Sequence, residues 1–381
     1  MRISLVTETY LPQINGVAKT VAALKHHLVL LGHDVQLVRP RQGHDDYSRI
    51  DQGLDEFLTF GPSSTSILNI PISAPATFSL FRLWSVRRPD LVHIATEGPL
   101  GFSALTVARK LGIPVTSDFR TNTHLYVHHH GLSWISRPLL SYLRFFHNRT
   151  SMTTVPTEGL LAFLSSYGFR NLMILGRGVD SELFNPANRS DFLRASWSAR
   201  ADDFVLLFVG RLIPEKNLIL LVKAYQALLM IDKRIKLVIV GDGPDRRYLH
   251  DEAPSAILCG NLTGISLTQH YASSDLLLFP SRTDTFGNVV LEALASAVPV
   301  IAFNDAAASI YIKNFANGYL CDGVDQAFLA GVVAMNHLFR SDRAQYDRIR
   351  QAARQTTLTQ GWPSIAHQFA TMASGVIDSN S

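Results

Sequence analysis

Cysteine is scarce: Cys259 and Cys321 are the two in 381 residues. Two thiols cannot build a disulfide framework, so a reducing compartment is the simpler expectation, with each thiol read as a small core hydrophobe. No run approaches the ~20 apolar residues of a membrane-spanning helix. The opening stretch Met1–Tyr10 meets Glu8 after a short apolar run, and reads as neither a secretory signal nor a span. Charged residues make up 17% against 47% hydrophobic, which excludes a disordered chain and indicates a compact globular one. Several chemical signatures are missing too. Neither G-x-G-x-x-G after a strand nor G-x-x-x-x-G-K-[ST] occurs, which lowers dinucleotide-oxidoreductase and P-loop readings. A serine nucleophile elbow is absent, and so is an Asp-x-Asp pair after a strand of the kind that holds a metal in metal-dependent sugar transferases.

What is present starts with length, which exceeds one usual hydrophobic core and makes two domains the natural expectation. The net charge of +4 lies in the first half: residues 1–185 hold 17 Lys and Arg against 13 Asp and Glu, while 186–381 hold 18 against 18. Arg39, Arg41, Arg82, Arg87, Arg88, Arg137, Arg144 and Arg149 belong to that half. They suit an anionic lipid surface or an anionic acceptor, or else ordinary solvated surface. Nucleic acid is not expected, because the excess is small and no DNA-reading motif accompanies it.

Short apolar runs rich in β-branched residues alternate with helix-period segments, the pattern of parallel sheets flanked by helices. The first series of strands is Ile3–Thr7, Val35–Val38, Leu91–Ile94, Pro114–Ser117 and Leu172–Leu175, with helices at Val17–Leu31, Leu100–Leu111 and Glu158–Ser166. The second series is Phe204–Gly210, Ile235–Gly241, Ile257–Cys259, Leu276–Phe279 and Val300–Phe303. Asp180–Asp203 has little periodicity and contains Asn185-Pro186, so the junction is placed there. The expected domains are 1–185 and 186–363, with a C-terminal helix over 364–381 returning to the first. The fold class is α/β, two facing Rossmann-like doubly wound domains, whose ligands bind in a cleft at the carboxyl ends of the strands.

Three loops of the second half carry chemistry. Gly210-Arg211-Leu212-Ile213-Pro214-Glu215-Lys216-Asn217 ends a buried strand and places Arg211 and Lys216 where fixed positive charge would stabilise a departing diphosphate. Gly241-Asp242-Gly243-Pro244 is a turn or a place of close backbone approach to a ligand. Phe279-Pro280-Ser281-Arg282-Thr283-Asp284-Thr285-Phe286-Gly287-Asn288-Val289-Val290-Leu291-Glu292 opens a helix whose first N–H groups, near Asn288 and Val289, suit an anion. Glu292 lies one turn on from Asn288, within reach of a ribose hydroxyl, and Asp284 points a second carboxylate at the sugar end.

The segment from Asp284 to Glu292 resembles the E-x7-E signature of retaining glycosyltransferases of the GT-B fold, family 4 (group 1). Gly210-Arg211 with Glu215-Lys216-Asn217 is similar to that family's phosphate loop. Gly264, Tyr271-Ala272 through Asp275, and Pro280-Ser281 fit its usual run. Glu8-Thr9-Tyr10-Leu11-Pro12 with Asn15-Gly16-Val17 resembles its glycine loop, and Arg177-Gly178-Val179-Asp180 with Phe184 its segment into the linker. The likeness covers nearly the whole chain and is strongest to mannosyltransferases and sulfoquinovosyltransferases acting on lipid acceptors. The sequence departs from the pattern at Asp284, where glutamate is commoner, and at Asn304-Asp305-Ala306-Ala307-Ala308-Ser309, which lacks paired glycines.

The resemblance implies a hexosyltransferase that moves a mannose-like or glucose-like unit from a GDP- or UDP-linked donor to a lipid or glycan hydroxyl, with retention and without a metal. The donor residues it implies are Gly16, Arg211, Lys216, Gly241, Gly243, Asp284, Phe286, Gly287, Asn288, Val289 and Glu292. Catalysis falls to Arg211, Lys216, Asp284 and His124, the last by the reacting sugar or merely buttressing its loop. Asp118, Arg120 and Asn122 are placed at the acceptor by position alone. His128-His129-His130 with His124 imitates a zinc pair, but no cysteine or second carboxylate accompanies it, so no metal site is assigned. Leu132, Trp134, Ile135, Leu139 and Leu140 beside Arg137 and Arg144 form either a membrane-facing patch or the core face of a helix. The expected location is cytoplasmic, with peripheral contact at the inner face of the cell membrane as an extension. The rival readings are an epimerase or phosphorylase of the same fold, and a noncatalytic nucleotide-sugar binder.

Overall fold

The structure is a computed structural model that describes residues 1–13, 15–42, 46, 50–51, 54–60, 66–67, 70–71, 73–120, 133–282 and 284–380. The chain divides into two compact units: Met1–Arg177 with Trp362–Ser381, and Gly178–Gly361.

The first unit is built on an eight-stranded sheet. Its order is Leu172–Ile174, Met152–Val155, Val115–Asp118, Leu91–Ile94, Arg2–Val6, Asp34–Pro40, Leu54–Thr59 and Ile50–Asp51. The pairs are parallel except the edge pair of Ile50–Asp51 with Leu54–Thr59. Parallel strands covered on both faces need apolar side chains on both, hence the unbroken runs in the sequence. Ile3, Leu5, Val35, Leu37 and Leu91 pack on Val21, Leu24 and Leu28 of the helix Gly16–Leu30 and on Ile365, Phe369 and Ala373 of the helix Trp362–Asp378. Val6, Val38, Val92 and Ile94 face the other way, onto Leu80 and Trp84 of Thr77–Val86 and Leu100 and Ala104 of Pro99–Lys110. Fully burying such a side chain contributes about 1.5–3 kcal/mol, so these two layers dominate the unit's stability.

The second unit holds a six-stranded sheet in the order Ile257–Gly260, Ile235–Val240, Phe204–Val209, Leu276–Phe279, Val300–Phe303 and Gly318–Cys321. All its pairs are parallel. One face packs Phe204, Leu206, Phe208, Leu237 and Leu278 with Leu221 and Tyr225 of the helix Leu218–Ile231 and Phe328 and Val332 of the helix Asp325–Ser341. The other packs Val205, Leu207, Val238 and Leu277 with Tyr271 and Leu291. The strand order turns back between Phe204–Val209 and Leu276–Phe279, which makes that gap the topological switch point, where loops diverge and ligands of such sheets bind.

Two parallel-sheet α/β units agree with the expected fold class. The boundary between them falls at Arg177/Gly178, ahead of the 185/186 junction read from weak periodicity. Polar contacts bind the aperiodic stretch into the second unit. The buried Arg194 donates to the carbonyls of Arg200, Asp203 and Ser273 and to Asp275, and Arg354 donates to the carbonyls of Ser181, Phe184 and Ala295. Such contacts have no apolar period to betray them.

In the helix Ser133–His147, Leu139 and Leu140 pack on the cluster of Phe119, Leu143 and Phe169. These two leucines therefore belong to the core side, while Arg137 and Arg144 are exposed. Leu132 and the side chains of Trp134 and Ile135 lie outside the described part. No helix among the described residues is long and apolar enough to cross a membrane.

Candidate active site

Two loops leave the switch point of the second sheet. After Phe204–Val209 the chain makes a single 3-10 turn at Pro214–Lys216 and then Asn217 adopts a left-handed conformation, φ 53° and ψ 50°, before the next helix. That conformation suits asparagine better than most residues with a Cβ. Its side chain donates to the Pro280 carbonyl at 3.3 Å, tying the first loop to the second. Lys216 is thereby held with Nζ 2.5 Å from Asp284 Oδ1. Arg211 stands outside this pair, half exposed, with Glu215 3.7 Å away.

The second loop, from Pro280, ends at Gly287, where φ is 84° and an added Cβ would lie 2.8 Å from Phe279 Cζ. Glycine is required there on both counts. The helix Asn288–Ala295 starts immediately after it, so its first N–H groups lack partners inside the helix. Glu292 is 8% exposed and accepts from the Tyr271 hydroxyl at 2.8 Å. Burial raises the Asp284 carboxyl's pKa, but the Lys216 ammonium with its hydrogen bond, assisted by Arg211, outweighs it and holds the carboxyl below its ordinary value. Asp284 is thus an anion, held so by Lys216 with help from the Ser281 hydroxyl and Arg211.

The Gly241–Gly243 loop packs on the backbone of the loop that carries Arg211. A Cβ on Gly241 would lie 1.8 Å from the Gly210 carbonyl oxygen, and one on Gly243 would lie 2.3 Å from that of Leu212. Backbone bonds from Leu212 to Asp242 and from Asp245 to Leu212 knit the two loops together. The glycines therefore let the loop that carries Arg211 and Lys216 rest directly on backbone.

Asp305 was not singled out by sequence reasoning. It caps the helix Ala306–Tyr311, and the Ala307 N–H donates to the Phe286 carbonyl, which brings this loop against the second one. Burial raises the Asp305 carboxyl's pKa; the Ala306 N–H opposes this and the charge of Asp284 adds to it. Tyr271 was read only as part of a family run, and its bond to Glu292 crosses two helices that no local pattern links. Arg282 turns away, stacked 3.9 Å from the Phe303 ring centroid and paired with Asp325.

In the first unit the chain also reverses beside its first strand. Glu8, 3% exposed, accepts from the Leu100 N–H at 2.9 Å and from Ser73 at 3.1 Å. Burial pushes its carboxyl up to about 7 despite these donors. Gly16 begins a helix capped by Asn15, whose amide also donates to Thr9. Asp118 and Arg120 are buried and paired with each other, and Thr154 donates to Asp118. Asn122, His124 and His128-His129-His130 lie outside the described residues.

The residues brought together in the second unit are Arg211, Lys216, Asp284, Gly287, Asn288 and Glu292, with Asp305 and Tyr271 added. Residues 189–356 match the model described as Glycosyl transferases group 1, and residues 14–183 match Glycosyltransferase Family 4. The chain is 33% identical over 374 residues to a GDP-mannose-dependent alpha-mannosyltransferase of Mycolicibacterium smegmatis, covering 97% of this chain and 96% of the relative. It is 28% identical to an alpha-monoglucosyldiacylglycerol synthase of Streptococcus pneumoniae, over 79% of this chain and 71% of that one. Among solved structures, sucrose-phosphate synthase from Thermosynechococcus elongatus superposes with a TM-score of 0.80 at 17% identity, covering 99% of both chains, which speaks to fold alone. The chain belongs to glycosyltransferase family 4, and it is a glycosyltransferase of the GT-B fold.

Proposed function

We propose that the protein transfers a hexosyl group, with mannose from GDP-mannose as the first donor to test, to a hydroxyl of a lipid or glycan acceptor, retaining anomeric configuration and requiring no metal. The observation that carries this reading is the meeting of Lys216 and Asp284 across the switch point, with Arg211 beside them and a helix N-terminus facing the same loop. A nucleoside diphosphate takes its phosphates to Arg211, Lys216 and the first turn of Asn288–Ala295, with Phe286 and Gly287 alongside. Its ribose goes to Glu292 and its sugar to Asp284. Side-chain cations then stabilise the charge that develops on the diphosphate.

The acceptor is assigned to the first unit, with His124 by the reacting sugar, Gly16 near the phosphates, Arg120 and Asn122 toward the acceptor, and Asp118 holding Arg120. The acceptor oxygen bonds to C1 on the face from which the diphosphate departs, the C1–O bond to phosphate breaks, and the acceptor's proton passes to a phosphate oxygen. Same-face substitution of this kind needs positioning more than a protein nucleophile. A lipid acceptor at a membrane surface is supported by the diacylglycerol synthase named among the relatives. Exposed Phe78, Phe81, Val86 and Phe102 on the helices Thr77–Val86 and Pro99–Lys110, together with Arg82, Arg87 and Arg88, support it further.

Melting curves with GDP-mannose, UDP-glucose, GDP and UDP in the presence of EDTA test the donor half. One donor and its diphosphate should raise Tm by mass action, and Lys216→Ala should abolish the shift. Silence from all four would overturn the proposal.

A further inference from the structure

Three adjacent strands of the second sheet, Phe204–Val209, Leu276–Phe279 and Val300–Phe303, send out loops at their carboxyl ends. Each loop passes into its helix through a residue in the left-handed region: Asn217 at φ 53°, Gly287 at φ 84° and Ala306 at φ 48°. Asparagine and glycine suit that region, whereas the Cβ of alanine is strained there. Strain of this kind persists where the surroundings over-determine the backbone, and it clusters at ligand sites. The three loops also hold one another. Asn217 donates to the Pro280 carbonyl at 3.3 Å, and the Ala307 N–H donates to the Phe286 carbonyl at 2.9 Å. Strand pairing sets Phe279 level with Ala302, so the loop carrying Asp284 and the loop carrying Asp305 leave the sheet side by side.

The carboxylates on those two loops differ in how they are balanced. Lys216 neutralises Asp284. Asp305 has no cation at ion-pair distance among the described residues, and none offsets the rise of its pKa. Arg282, stacked on Phe303 two residues away, is turned to Asp325 and to the Gly323 carbonyl. Asp305 Oδ1 accepts from the Ala306 N–H at 2.8 Å, while Oδ2 has no partner among the described residues and the side chain opens to solvent. A carboxylate oxygen left open in this way accepts readily from a hydroxyl and repels a second carboxylate.

We propose that Asp305 sets donor specificity by charge: Oδ2 accepts from a hydroxyl of the transferred sugar, and the negative charge turns away sugars that carry a carboxylate. The inference rests on the transferase reading, in which Asp284 meets the sugar, and adds that this sugar is uncharged. Lys216 does not cancel the repulsion, because it is committed to Asp284 and, in the reaction, to phosphate. Specificity then comes as much from rejecting the wrong sugar as from holding the right one.

The test compares donors that differ at C6 alone, GDP-mannose against GDP-mannuronate and UDP-glucose against UDP-glucuronate, by calorimetry on the whole chain in EDTA at low salt, where charge is least screened. For the base that binds, the parent should hold the neutral donor about tenfold or more tighter than the anionic one. Asp305→Asn keeps an oxygen for the Ala306 N–H and removes the charge, so the anionic donor should gain most of that factor while the neutral donor changes less. Asp305→Glu should restore the preference. If Asp305→Asn melts well below the parent, Asp305→Ser, another good capping residue, takes its place in the comparison. A parent that binds both donors of a pair equally, or a preference that survives in the uncharged variants, would overturn the inference and leave the transferase reading standing. Failure of all four donors to bind would overturn the transferase reading and the inference with it.

Discussion

Lys216 Nζ lies 2.5 Å from Asp284 Oδ1, joining residues 68 apart in sequence at the point where the second sheet reverses its strand order. The ammonium therefore serves two masters. It holds a buried carboxylate in its ionised form, and the proposed reaction gives it a phosphate as well. Lys216→Ala should lower kcat by about 100- to 1,000-fold, the usual consequence of removing one preorganised charge partner of a transition state. It should also cost about 1–3 kcal/mol of stability by leaving Asp284 unpaired. The double variant Lys216→Ala/Asp284→Asn separates the two effects: melting should recover toward the parent while turnover stays low. Recovery of turnover along with Tm would show that the pair is only structural.

Tyr271→Phe removes the hydroxyl that holds Glu292. Loss of one buried hydrogen bond to a charged group is worth about 1.5–3 kcal/mol. Because Glu292 is assigned to the ribose, the loss should appear mainly as a raised donor KM, with kcat changing less. Steady-state kinetics at saturating acceptor measures the split, and a fall in kcat at constant KM would place Glu292 at the reacting bond instead.

Gly241→Ala tests how the phosphate loop is supported. The new Cβ would sit 1.8 Å from the Gly210 carbonyl oxygen at a φ of 142°, so backbone must move on one side or the other. A loss of about 3 kcal/mol is expected, seen as a lower Tm of the second unit. Unchanged melting would mean that the two loops do not rest on each other.

The alternation of apolar runs with helical segments made the fold legible, because strands buried on both faces have no choice but to be apolar. Met152–Val155 escaped notice for a physical reason. Thr153 is buried, but its hydroxyl is satisfied by a polar knot with Ser117, Thr150 and His147, so the strand does not read as an apolar run. At the site, Lys216, Asp284 and Gly287 could be picked out because each sits on a loop directly after a strand. Asp305, the Tyr271–Glu292 bond and the backbone role of Gly241 were hidden, since each depends on which segments meet in space.

Glu8 predicts a pH dependence. Its carboxyl rises from 4.5 to about 7 on burial, so between these values the folded chain keeps a proton that the unfolded chain has lost. The native state then binds more protons, and stability falls as pH increases through that window, by about 3 kcal/mol at most. Glu8→Gln removes the titration and keeps an acceptor for the Leu100 N–H. The Tm of the variant relative to the parent should therefore climb from pH 5 to pH 8; a difference that stays constant with pH would contradict it.

The most direct measurement is sugar transfer itself. The purified protein, GDP-mannose and a glycosylated diacylglycerol acceptor are incubated in EDTA, and the anomeric configuration of the product is read by proton NMR, with Lys216→Ala in parallel. The account predicts an α-linked product from the α-linked donor, formed in EDTA and all but lost in the variant. A β-linked product, or a variant that transfers as well as the parent, would contradict it.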